Sequence, residues 1–191
     1  IFFRPENKDQ LKKFLNEIKK YNFKMHILGA GSNTLIRDAG VKGVVIKLGS
    51  KFSSIELLEK DTIEVGGSAL DRRISDFAKN NDIGGMEFLS CIPGSIGGSI
   101  IMNSGCYGSD ISKILSSIKI IDDKGEEKEI KKHEIKFFYR GTNISKKYII
   151  LSAVLKGTIS SKQLIEKKQE ELIERKKESQ PSQVKTGGST F

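Results

Sequence analysis

The chain has 191 residues, a formal net charge of +9 and 37% hydrophobic residues, a composition ordinary for a soluble protein of one large or two small domains. No run approaches the ~20 apolar residues of a membrane span, so no membrane partner is expected, and no signal-peptide pattern opens the chain. Aromatics make up only 7% and tryptophan is missing, which leaves few platforms for stacked bases; the spread lysine pairs read as solvated charge, and no nucleic-acid partner is expected.

Residues 7–20 predict an amphipathic helix, because Leu11, Phe14, Leu15 and Ile18 recur at i, i+3, i+4 and i+7. Residues 25–28 predict a short strand that runs into Gly29-Ala30-Gly31-Ser32-Asn33. Successive backbone amides in such a turn, with serine and asparagine donors beside them, form a nest for a phosphate or pyrophosphate. The G-x-G-x-x-G fingerprint fails because Thr34 stands at its third glycine, and no Gly-Lys-Ser/Thr follows. The segment is therefore either a phosphate loop of another kind or a tight turn. A second strand is expected over 41–48, closing a small α/β unit near residue 57.

A strand over 62–65 and a helix over about 70–79 follow, the helix carrying Leu70, Ile74, Phe77 and Ala78 on one face. Residues 84–108 then hold seven glycines among isoleucines rather than among linker residues. Glycine costs backbone entropy, so the cluster implies a tight, buried loop whose amides face something. Both cysteines, Cys91 and Cys106, lie here without metal-site spacing and read as free thiols of a reducing cytoplasm. A hairpin is expected from 118–121 and 127–130 around Asp122-Asp123-Lys124-Gly125, then a buried strand over 148–154. Residues 161–178 predict a charged helix with a thin stripe of Leu164, Ile165, Leu172 and Ile173, and 180–186 a linker.

Taken in order, Gly29–Asn33, Ile92-Pro93-Gly94-Ser95-Ile96-Gly97-Gly98, Met102-Asn103, Tyr107-Gly108, Phe138-Tyr139-Arg140-Gly141-Thr142 and Gly187-Gly188-Ser189-Thr190-Phe191 resemble the motifs of the bacterial UDP-N-acetylenolpyruvoylglucosamine reductases. That resemblance implies an α+β fold of the FAD-linked oxidase and reductase type, with two α/β subdomains (1–57 and 58–158) clasping the flavin. Residues 159–191 would lead into a further substrate-binding domain that carries a catalytic glutamate. The chain opens at Ile1 without a methionine and stops at Phe191 inside a motif, so it reads as a fragment, expected to be inactive alone.

The resemblance further implies non-covalent FAD, NADPH as co-substrate and a nucleotide-sugar substrate, in a cytoplasmic, monomeric enzyme of peptidoglycan and cell-wall synthesis. NADPH would reduce FAD; the reduced flavin would pass hydride to C3 of the enolpyruvyl group while Ser189 protonates C2. Gly29, Ala30, Gly31, Ser32 and Asn33 would hold the pyrophosphate. Pro93, Gly94, Ser95, Gly97, Gly98 and Asn103 would line the flavin, so that a side chain at Gly97 would intrude on it. Arg140 would bind the substrate carboxylate, with Tyr139 beside it; a planar guanidinium suits a carboxylate by its paired donors. A hydroxyl is a weak acid, and the strongly basic carbon left by hydride addition is a site to which it can donate. A flavin oxidase of the same broad fold is the alternative, marked by a His or Cys that attaches the flavin covalently. His26 and His133 read as structural or surface residues, and Glu87 as a carboxylate that braces the loop.

Overall fold

The computed structural model describes residues 1–180. Strand β1 (Phe2–Phe3), helix α1 (Lys8–Ile18), strand β2 (Met25–Ile27) and strand β3 (Val44–Ile46) form the first unit. Its sheet is parallel, with β3 between β1 and β2. The helix starts at Asn7, whose side chain accepts the Gln10 amide at 2.9 Å, a cap worth about 1 kcal/mol. Leu11 and Leu15 are fully buried against Val44, Ile46 and Phe52, as the helical period requires, and each contributes roughly 1.5–3 kcal/mol by leaving water. The strand expected over 41–48 shortens to three residues, because Gly43 turns through φ +106° where its backbone packs on the Lys24 carbonyl.

The second unit is a five-stranded antiparallel sheet. Its strands are β4 (Ile55–Glu59), β5 (Thr62–Gly66), β6 (Leu115–Ile121), β7 (Glu127–Lys131) and β8 (Ile149–Lys156), in the order β7-β6-β8-β5-β4. The division expected near residue 57 falls inside β4, which already belongs to the larger sheet. Helix α2 (Asp71–Asn80) and the turn Glu87–Cys91 cover the sheet with a core of Ile63, Ile74, Phe88, Leu89, Ile96 and Ile118. Within the glycine-rich stretch, Ile96–Ile101 is a helix, α3, and not only loop.

The last described element, α4 (Lys162–Ser179), packs on the Glu87–Cys91 turn and on α2. Its buried stripe is Ile165, Gln169 and Leu172, with Ile173 half-buried beside them; Leu164 faces solvent, 64% exposed. The expected stripe was therefore one position out at its start. Gln169 was passed over because it is polar, yet its amide donates to the Ser75 hydroxyl at 2.7 Å in the buried interface. Buried polar groups are tolerated when paired in this way.

Candidate functional site

The two glycine-rich segments, far apart in sequence, meet at one wall of a cavity of about 1260 Å³. The first follows β2, whose edge is closed by the Leu28 amide donating to the Ile46 carbonyl at 2.9 Å. Gly31 turns the chain at φ +90°, a conformation that side chains other than glycine disfavour. Among the described residues, the N–H groups of Gly31, Ser32 and Asn33 find no acceptor, and all three residues line the cavity. Consecutive unpaired amides in a turn form an anion-binding nest.

The second segment is laced to protein instead. Asp71 donates its amide to the Gly94 carbonyl at 3.1 Å, Ile96 to Ala69 at 2.9 Å and Gly97 to Gly67 at 3.0 Å. Ser95 joins the two segments: its hydroxyl accepts the Ala30 amide at 3.2 Å, and a Cβ on Gly29 would sit 2.7 Å from the same oxygen. Gly97 and Gly98 differ although they are neighbours. A Cβ on Gly97 would meet the Gly67 carbonyl oxygen at 2.9 Å, whereas one on Gly98 would approach only Ser95 Oγ, at 3.9 Å. Gly97 thus permits two stretches of protein to approach, and Gly98 is the position with open space toward the cavity.

Pro93, Gly94, Ser95, Gly97 and Gly98 line the cavity, and Asn103 does not. Asn103 is buried; its side chain donates to the Phe138 carbonyl at 3.1 Å and accepts the Ser112 amide at 3.1 Å. It holds in place the hairpin Phe137–Phe138/Gly141–Thr142, whose turn is Tyr139-Arg140. Arg140 reaches the cavity with φ +57°, donates Nη1 to the Gly105 carbonyl at 3.0 Å, and lies with Cζ 5.1 Å from the Tyr139 ring centre. Asn103 and Tyr107 also have positive φ, so three of the four such non-glycine residues among those described sit at this corner. Strained backbone collects where side chains must be aimed. Tyr139 itself is 84% exposed and lies outside the cavity wall.

The cavity has a single sign of charge. Among the described residues Arg4, Lys24, Lys47, Arg73, Arg140, Lys146 and Lys176 line it, and no aspartate or glutamate does. Only Arg140 among them was expected; Lys146 and Lys176 belong to the lysine pairs read as solvated charge. Their convergence depends on tertiary structure, in particular on α4, whose last turn places Lys176 with Nζ 2.7 Å from the Cys91 carbonyl. His26 lines the cavity edge, while His133 lies in an exposed turn away from it. Burial, and then the neighbouring Cys91 thiol, push the Cys106 thiol up to about 11, leaving it neutral at physiological pH. Glu87 accepts the Gly85 amide on both oxygens at 3.0 Å and meets Lys168 at 3.5 Å, the bracing role expected of it. Ser189 lies outside the described residues.

A family model described as an FAD binding domain matches residues 1–131. The chain belongs to this family of FAD-binding domains. The UDP-N-acetylenolpyruvoylglucosamine reductase of Pelagibacter ubique (strain HTCC1062) is 47% identical over 191 residues, covering 100% of this chain and 63% of that protein. The UDP-N-acetylenolpyruvylglucosamine reductase of Thermus caldophilus superposes with a TM-score of 0.85 at 26% identity, over 100% of this chain and 66% of that one. A cholesterol oxidase variant from Brevibacterium sterolicum shares the fold, with a TM-score of 0.60 at 14% identity over 83% of this chain and 34% of that one. The chain thus spans a little under two thirds of the length of the curated relative. The fold is that of the FAD-linked oxidases and reductases, in an α+β arrangement.

The residues present suit FAD. Its pyrophosphate calls for unpaired amides and positive potential, which Gly31–Asn33 and the cationic wall offer; its flat ring calls for an approach unhindered by side chains, which Gly98 leaves open. The cavity exceeds the ~300–1,000 Å³ usual for small-ligand sites and has room for a dinucleotide.

Proposed function

We propose that the chain is the flavin-binding part of an NADPH-dependent reductase acting on UDP-N-acetylglucosamine enolpyruvate. The product is UDP-N-acetylmuramate, and the step belongs to peptidoglycan synthesis. One observation carries the reading: a large cavity with seven cationic side chains, no carboxylate and three open amides, suited to polyanions. FAD, NADPH and a UDP-sugar are all polyanions, and a cleft of one sign raises their encounter rate. The relatives' names supply the choice of substrate.

FAD, held without a covalent bond, supplies the hydride chemistry when bound, taking hydride from NADPH and giving it to the enolpyruvyl carbon. The chain's own work is binding and orientation. Gly31, Ser32 and Asn33 hold the pyrophosphate through their amides, and Gly98 leaves room for the ring. Arg140, fixed by the Gly105 carbonyl and the Tyr139 ring, presents a planar fork to the substrate carboxylate. Ser189 is proposed, from the family motif, to donate the proton to C2. The reaction is proposed to run in the cytoplasm, in a protein that works as a monomer.

The test is stopped-flow absorbance of the complete protein reconstituted with FAD. NADPH should bleach the flavin band, and the enolpyruvyl substrate should restore it. Failure of the substrate to restore the band, with oxygen restoring it instead, would turn the reading to an oxidase.

A further inference from the structure

One buried carboxyl group has no part in the function above. Asp71 opens α2 directly behind the second glycine segment and is fully buried. Its Oδ2 accepts a hydrogen bond from the Ser99 hydroxyl at 2.6 Å, and its amide donates to the Gly94 carbonyl at 3.1 Å. A Cβ on Gly94 would lie 2.6 Å from the same carboxyl oxygen, so the glycine is required by the aspartate and not by a ligand. Its Oδ1 has no hydrogen-bond partner among the described residues. A buried polar atom left unpaired is costly and rare, and an ionised one more so.

Asp71 therefore grips the Gly94–Ser99 segment at both ends, by backbone and by side chain. We propose that Asp71 is a positioning residue for flavin binding, which holds the Gly94–Ser99 wall closed while its carboxyl is protonated and releases it on ionisation. The proposal rests on the reading of this cavity as the FAD site. The wall it holds contains Ser95, the link to the phosphate loop, and Gly98, the opening toward the cavity.

The environment supports a proton there. Burial pushes the Asp71 carboxyl up to about 7, and only the Ser99 hydrogen bond opposes it. The ionisable groups on the packed elements are Arg72, Arg73, Asp76 and Lys79 of α2, Glu64 of β5, and Glu87 and Cys91 of the adjoining turn; none of them acts on it. Above neutrality the site holds a buried charge with one unpaired oxygen. Admitting water by opening the segment relieves that charge, and an opened wall competes with flavin binding.

The experiment uses the complete protein and two readouts between pH 5.5 and 8.5. One is FAD affinity from quenching of flavin fluorescence. The other is hydrogen exchange of the Gly94–Ser99 amides without flavin. The wild type should bind FAD progressively more weakly as pH rises toward about 7, by up to tenfold per pH unit for one proton, and level off above it, with parallel loss of amide protection. Asp71→Asn, neutral at every pH, should remove the break in both readouts. Ser99→Ala removes the hydrogen bond that favours the charged form, so its break should move to higher pH. A break unchanged in Asp71→Asn, or moved to lower pH in Ser99→Ala, overturns the proposal while FAD binding stands. No flavin binding by the wild type at any pH overturns the FAD reading and the proposal with it. In that case the amide protection still shows whether Asp71 governs the segment.

Discussion

The two glycine segments look alike in sequence and serve opposite purposes. In the first, half-buried Gly31 and exposed Ser32 and Asn33 line the cavity, and their amides find no acceptor among the described residues. In the second, Ile96 and Gly97 spend their amides on the carbonyls of Ala69 and Gly67, and Gly94 and Gly97 are glycine because other parts of the protein crowd them. The first segment is proposed to bind by what it leaves open; the second builds a wall by what it closes. A glycine-rich stretch beside a cavity is thus not evidence of ligand contact at each of its glycines.

The largest effect expected of a break in this contrast is electrostatic and confined to the second segment. Asp71 has its carboxyl raised from 3.8 to about 7, so the folded state holds a proton that the unfolded chain gives up earlier. That contribution is fully present below about pH 4, declines as pH rises toward 7 and is spent above it; at ~1.4 kcal/mol per unit it reaches a few kcal/mol at most. Asp71→Asn should flatten this part of the stability curve between pH 4 and 7, measured by urea unfolding.

Next comes Gly97→Val, which drives a side chain into the Gly67 backbone. It should cost roughly 1–3 kcal/mol and lower Tm in flavin-free protein. Gly98→Val separates the two functions most cleanly. Its side chain has open space, so the melting curve should barely move, while FAD affinity falls by about 10²-fold. If Gly97→Val melts normally and loses flavin, the two roles are reversed. Ser95→Ala should have the smallest effect, about 0.5–1.5 kcal/mol on FAD affinity, because the Ala30 amide loses its acceptor where the segments join.

Much of the fold was legible. The i, i+3, i+4 spacing of Leu11, Leu15 and Ile18 places α1, and the Asp122–Gly125 turn places the hairpin of β6 and β7, because both are set by local pattern. Helix α3 was missed because Gly97 and Gly98 depress helix propensity; its segment is fixed by hydrogen bonds to residues 67–71, which no local window contains. Gly29–Asn33, Pro93–Ser95 and Arg140 were legible as motifs and do gather at one cavity. Arg4, Lys47, Arg73, Lys146 and Lys176 were not, since a lysine or arginine on a solvated face and one facing an anion carry the same local sequence signal. Asn103 was misplaced for a similar reason: its amide braces Phe138 and Ser112 instead of facing the cavity.

The central claim is that the first segment, and not the second, takes the dinucleotide pyrophosphate on its backbone amides. FAD titrated into ¹⁵N-labelled complete protein tests it directly, residue by residue. The account predicts large downfield shifts of the Gly31, Ser32 and Asn33 amide protons as they gain anionic acceptors, with the Ile96 and Gly97 amides keeping their protein partners and shifting little. Large shifts at Ile96 and Gly97 with Gly31–Asn33 unmoved would contradict it.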